Sequence, residues 1–98
     1  MDIVFLYQGQ QFVWDSEKAM NNTSKHGVSF DKACEVFFDP FVVLEDAGTV
    51  EERCEAAIGM TEDWDLLFVV HILREEDTIR IISARTATAA ERRKYEGE

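Results

Sequence analysis

Proline is nearly missing from this 98-residue sequence, occurring once as Pro40, and glycine occurs five times. So little of either leaves no room for flexible linkers or low-complexity segments, and no internal repeat is visible. Cysteine is also scarce: Cys34 and Cys54 are isolated thiols without metal-ligand spacing, which points to a reduced, cytoplasmic setting. Long apolar runs are absent, since Leu66–Val70 is soon interrupted by His71 and Arg74, so no membrane span is expected. The stretch Met1–Tyr7 lacks a basic region and a small-residue cleavage site, so no secretory signal is expected. Also missing are a glycine-rich phosphate loop, Gly-x-Ser-x-Gly, His-Glu-x-x-His and any cysteine–histidine zinc spacing. Neither a metal nor a cofactor is expected.

Positive charge is in short supply, with ten Lys/Arg against twenty Asp/Glu and a net charge of −10. The imbalance is local. Residues 39–77 hold twelve acidic and two basic residues, whereas the rest of the chain has eight of each. Within that neutral remainder, Arg80–Tyr95 carries five of the ten cations. A basic edge on an acidic protein makes phosphate binding the first explanation to weigh.

What is present is an ordinary globular composition, 46% hydrophobic and 11% aromatic, enough for one core and a single domain over 1–98. Residues 2–7 and 10–14 are β-branched and aromatic around Gln8-Gly9, which predicts a hairpin. Asp15 or Ser16 can cap a helix that runs to about Lys25, with Gly27 closing it. Ser29 can cap a second, in which Phe30, Ala33, Cys34, Phe37 and Phe38 recur at helical spacing until Asp39-Pro40 stops it. The period then changes to strand over 41–45, 53–60, 64–73 and 78–84, with short polar connections that favour an antiparallel meander. Glu51-Glu52 and Glu75-Glu76-Asp77 read as solvated turn charge. Residues 66–73 are apolar on both faces and should form a central strand covered on both sides. Thr88-x-x-Glu91 is a capping box opening a last helix to about Tyr95. The fold class is therefore α+β.

Each candidate for chemistry has a structural reading beside the functional one. His26 suits proton transfer next to Lys25, or equally closes a helix end. His71 reads as a hydrogen-bonded, partly buried strand residue. Simple alternation along 78–84 puts Arg80 and Arg85 on opposite faces, with Arg85 at the strand end where a phosphodiester can reach it. The competing reading for both arginines is a salt bridge to the abundant carboxylates. Glu91 has a capping role ready-made, and Tyr95 can stack on a base, act as an acid or dock the terminal helix.

Several blocks occur together in order: Phe12-Val13-Trp14-Asp15 with Lys18, then Asn22-x-x-Lys25-His26-Gly27-Val28-Ser29-Phe30, Glu35–Pro40, and Arg80–Arg85 with Ala87, Thr88, Glu91, Arg92, Tyr95 and Glu96. Over almost its whole length the chain resembles the BrnT family, toxins of bacterial type II toxin–antitoxin systems. The resemblance implies a RelE-like fold, with helices on an antiparallel sheet, and a growth-inhibiting, metal-independent endoribonuclease. It also implies neutralisation by a BrnA-like antitoxin with a ribbon-helix-helix part, so that DNA is met only through the antitoxin complex. Attack by an RNA 2′-hydroxyl needs a base, a cation at the phosphate and an acid for the departing 5′-oxygen. His26 or Glu91, Arg85 with Arg80 or Arg53, and Tyr95 or Lys25 are the respective candidates. The acidic central segment supports an alternative, a catalytically weak or inactive toxin-like binding module that acts through its antitoxin complex.

Overall fold

The structure is a computed structural model, described here for residues 1–48 and 53–97. Glu51 and Glu52, read above as turn charge, lie outside the described residues. Two strands, β1 (Asp2–Tyr7) and β2 (Gln10–Asp15), form the expected hairpin, with Gln8 and Gly9 both at positive φ in the turn. Helix α1 (Ser16–His26) follows directly. Asp15 caps it by accepting from the Lys18 N–H at 3.0 Å, and Gly27, at φ 71°, ends it in the left-handed conformation that glycine adopts most cheaply.

The second amphipathic segment begins as α2 (Phe30–Ala33) and tightens to a 3₁₀ turn over Cys34–Phe38. Ser29 occupies the capping position without a side-chain bond; its carbonyl accepts from Ala33 N–H instead. The meander is present as β3 (Val43–Asp46), β4 (Glu55–Met60), β5 (Leu66–Leu73) and β6 (Ile79–Thr86), each antiparallel to the next. Helix α3 (Ala89–Tyr95) closes the chain behind the full Thr88–Glu91 capping box. Trp64 is not in a strand: at φ 67° it sits in the turn before β5.

All six strands make one sheet in the order β1-β2-β6-β5-β4-β3. The sheet is mixed, because β2 and β6 run parallel over Phe12↔Ile79 and Val13↔Arg80. This follows from the crossover through α1 and α2, which carries the chain to the far edge before the meander returns to β2. On one sheet face Phe12, Trp14, Ala57, Leu67, Val69, Ile81 and Ala84 meet Val28, Phe30, Ala33, Cys34 and Val36 from the helical segment. The central strand β5 is covered by this segment on one face only; on the other, Phe68, Val70 and Ile72 stay half-buried, because α3 packs on β4 and buries no residue of its own.

The tightest approach explains one glycine. A Cβ on Gly59 would stand 2.9 Å from both the Cβ and the carbonyl oxygen of Val36, so β4 and the 3₁₀ turn touch backbone to backbone. Gly59→Ala should cost about 1–3 kcal/mol, as overpacked sites do. A lower urea midpoint with unchanged slope would show it; an unchanged midpoint would mean that the 3₁₀ turn yields freely.

Candidate functional site

Strand β6 and helix α3 organise the basic edge. Cross-strand partners share a sheet face, and the register here departs from simple alternation. Arg80 faces Ile72 and Ile81 faces His71, yet Ser83 faces Val70, so Ile82 is an extra residue in β6. This bulge resets the phase. Arg80 and Arg85 therefore lie on the same face, with Ile72, Val70 and Phe68, and not on opposite faces as alternation alone predicts. Their partners on β5, Ile72 and Phe68, are four residues apart, roughly 13 Å along a strand.

Arg85 is held on three sides. Its two terminal nitrogens donate to the two carboxylate oxygens of Glu91 at 2.7 and 2.8 Å, and Nη1 also reaches the Thr86 carbonyl at 3.3 Å. Beneath it, the Phe68 ring centroid lies 4.3 Å from the guanidinium carbon, a cation–π contact. Glu91 does two jobs, since its Oε1 also accepts the Thr88 N–H at 2.9 Å in the capping box. The Arg85 bond lowers the Glu91 carboxyl below its ordinary range, and the same pairing raises Arg85. What remains to Arg85 is the Nε–Nη2 edge, a second fork of two donors. Among the described residues none bonds to Nε, and the side chain as a whole is 34% exposed.

Lys25 and His26 stand exposed at the end of α1. They are positioned by a residue that the sequence reading left without a role. Asn22 is buried, and its amide donates to the Ala84 and Val28 carbonyls at 2.8 and 3.0 Å while accepting the Ala84 N–H at 3.1 Å. Asn22 thus fastens α1 to β6 one residue before Arg85. Lys25 and His26 follow at i+3 and i+4, one turn along the same side of the helix. The signal was there: Asn22 falls on the stripe of Ala19 and Thr23, where a polar side chain needs a buried partner. Among the described residues, Lys25 and His26 make no hydrogen bond or ion pair with Arg85, Glu91 or Tyr95.

The other candidates are elsewhere. Arg80 is committed to Asp2 at 2.6 Å, which lowers that carboxyl. Arg53 lies exposed before β4, in a groove with Leu44, Asp46, Glu55 and Leu73, toward the opposite end of β5 from Phe68. Tyr95 donates its hydroxyl to Asp39 at 2.6 Å; burial first, then this bond, pushes the phenol up to about 12. Burial raises Asp39, but the bonds from Tyr95, Phe41 N–H and Met60 N–H outweigh it and keep the carboxyl low. His71 is buried as expected, its Nδ1 3.2 Å from the Val69 carbonyl, and burial lowers its pKa. No described helix is long and apolar enough to cross a membrane.

The site of this small α+β protein thus sets an arginine fork at a strand end, with Lys25 and His26 exposed at the end of the helix fastened to that strand. The family comparison names the class: residues 14–91 match the family of the ribonuclease toxin, BrnT, of type II toxin–antitoxin systems. The match spans most of the chain, including Lys25, His26, Arg85 and Glu91, and the protein belongs to that family. A search of curated proteins found no match.

Two outcomes follow from this geometry. Because Glu91 is held low, its pair with Arg85 stabilises the fold above the ordinary glutamate pKa and loses that effect as pH falls through the lower folded value. Urea midpoints of the native chain should therefore fall below about pH 5, and Glu91→Gln should remove one component of that fall. Parallel pH curves for the two chains would contradict the pairing. Asn22→Leu, which strands the Ala84 backbone, should cost about 1–3 kcal/mol by the same measurement.

Proposed function

We propose that this chain is a metal-independent endoribonuclease toxin that grips an RNA phosphodiester with Arg85. The carrying observation is the arginine fork: Glu91 and Phe68 hold the guanidinium in one plane, and no described residue bonds to its Nε. Two such donors match two non-bridging phosphate oxygens, and most of their effect comes when charge builds on the five-coordinate phosphorus. Glu91, its carboxyl lowered by Arg85, is a poor proton acceptor and acts by orienting that arginine. His26 is the better base for the 2′-hydroxyl, and Lys25 beside it supplies the proton to the departing 5′-oxygen. The products are a 2′,3′-cyclic phosphate and a 5′-hydroxyl. Tyr95, tied to Asp39, anchors α3 in this reading.

Membership of a toxin–antitoxin family supports the toxin half of a pair, and in this reading growth inhibition in the cytoplasm is held in check by an antitoxin. That partner is a BrnA-like protein with a ribbon-helix-helix part, and this chain meets DNA only through the complex. Expression without the antitoxin should slow growth. The purified protein should cut single-stranded RNA with chelator present and leave cyclic phosphate ends. Arg85→Ala should lower cleavage about 100- to 1,000-fold, the usual loss for a transition-state charge donor. Intact RNA and unaffected growth with the native chain would sink the nuclease reading in favour of an inactive binding module.

A further inference from the structure

Away from the arginine fork, the turn between β4 and β5 displays a tryptophan. Trp64 is 82% exposed at φ 67°, a conformation uncommon for a bulky residue. The turn is tightly bonded: Trp64 N–H donates to the Thr61 carbonyl at 3.0 Å, Asp65 N–H to Thr61 Oγ1 at 3.1 Å, and Thr61 N–H to the Asp65 carbonyl at 2.9 Å. Glu62 N–H also donates to Glu35 at 2.9 Å, tying the turn to the 3₁₀ segment. The indole is thus held in water by a fixed backbone. It borders a groove of about 290 Å³ whose walls include Tyr7, Phe38 and Met60. That space suits one large side chain.

The charge around the groove selects the occupant. Glu35, Asp39 and Glu62 line it. Asp63 and Asp65 flank Trp64 in sequence, and Lys32 is already spent on these two, at 3.4 and 2.5 Å. Phosphate is repelled here, whereas a lysine or arginine is attracted by the carboxylates and by the indole face. We infer that this groove is a docking site for a cationic segment of the antitoxin, inserting one large apolar side chain beside Trp64. The inference rests on the toxin–antitoxin reading and adds the surface and the chemistry of contact. Asp39 belongs to the groove wall and also holds Tyr95, so a partner seated there abuts the anchor of α3, the helix that carries Glu91.

The test uses the full chain with its cognate antitoxin. Amides of Thr61–Asp65 should exchange more slowly in the complex. Trp64→Ala should raise Kd at least about tenfold, as the loss of a central aromatic anchor does. The double change Glu62→Gln and Asp63→Asn should raise Kd less and flatten its salt dependence. Thermal melts of both free variants should match the native chain, because these side chains are exposed. Several results would overturn the inference: no protection at 61–65, a Kd within about twofold for both variants, or no complex at all. So would a dimer of this chain that Trp64→Ala dissolves, or quenching of Trp64 fluorescence by single-stranded RNA. Loss of the nuclease reading is seen separately, as an inactive free chain, and leaves these binding measurements interpretable.

Discussion

The arrangement depends on how the free edge of β6 is completed. Strand β2 pairs with β6 only at Ile79 and Arg80, leaving the later part of a central strand without a partner on that side. A buried backbone group left unpaired is costly, so something must take the place of the missing strand. Asn22 does so by presenting one amide to both the N–H and the carbonyl of Ala84. The same amide binds Val28 beyond the helix end, so one side chain sets the path of α1, the turn at Gly27 and the strand end before Arg85. A polar group that carries out no chemistry thus ties the helix that ends in Lys25 and His26 to the strand end before Arg85.

Helix α3 shows the opposite economy. It buries no residue, and its attachments are polar: Glu91 to Arg85, Lys94 to Glu45, and Tyr95 to Asp39. Exposed ion pairs are each worth little, so the partly buried Arg85–Glu91 fork and the Tyr95–Asp39 bond carry most of the docking. These ties also change the meaning of the charge count. The basic edge is real in sequence, but Arg80, Arg85, Arg92 and Lys94 are each paired with a carboxylate. The field summed over a chain of net charge −10 repels a polyanion, so in the proposed nuclease RNA recognition rests on directed donors at close range.

Much of the fold was legible because local signals agreed with one another. The Gln8-Gly9 hairpin, the Asp15 cap, Gly27 and the Thr88–Glu91 box are short-range chemistry that a sequence displays directly. Long-range features were less accessible. The parallel β2–β6 contact depends on which edge the meander returns to, and no residue spells that out. The bulge at Ile82 adds one residue inside a continuous strand with no turn residue to mark it, and it alone moves Arg80 and Arg85 onto one face. Trp64 looked like strand because it is aromatic, but the bonds of Thr61 close a turn around it. At the site, Arg85 stood out by its place at the strand end. Glu91 caps the last helix as its capping box suggested, and the same carboxylate also pairs with Arg85.

Under the proposed nuclease reading, that dual service bears on how a paired arginine can still work on RNA. If substrate had to displace Glu91, the carboxylate would lose its partner and the capping box would loosen with it. In the proposed nuclease the Nε–Nη2 edge avoids the exchange, because phosphate binds there while Glu91 keeps the adjoining Nη1–Nη2 edge. The carboxylate reduces the net charge that a phosphate feels, which weakens ground-state binding. It also removes rotational freedom from the guanidinium, so less entropy is lost as the donors meet the more highly charged phosphorane. In the proposed nuclease, an arginine restrained in this way favours the transition state over the bound substrate. A surface arginine free to swing would bind both more nearly alike, and would serve a protein that only held RNA.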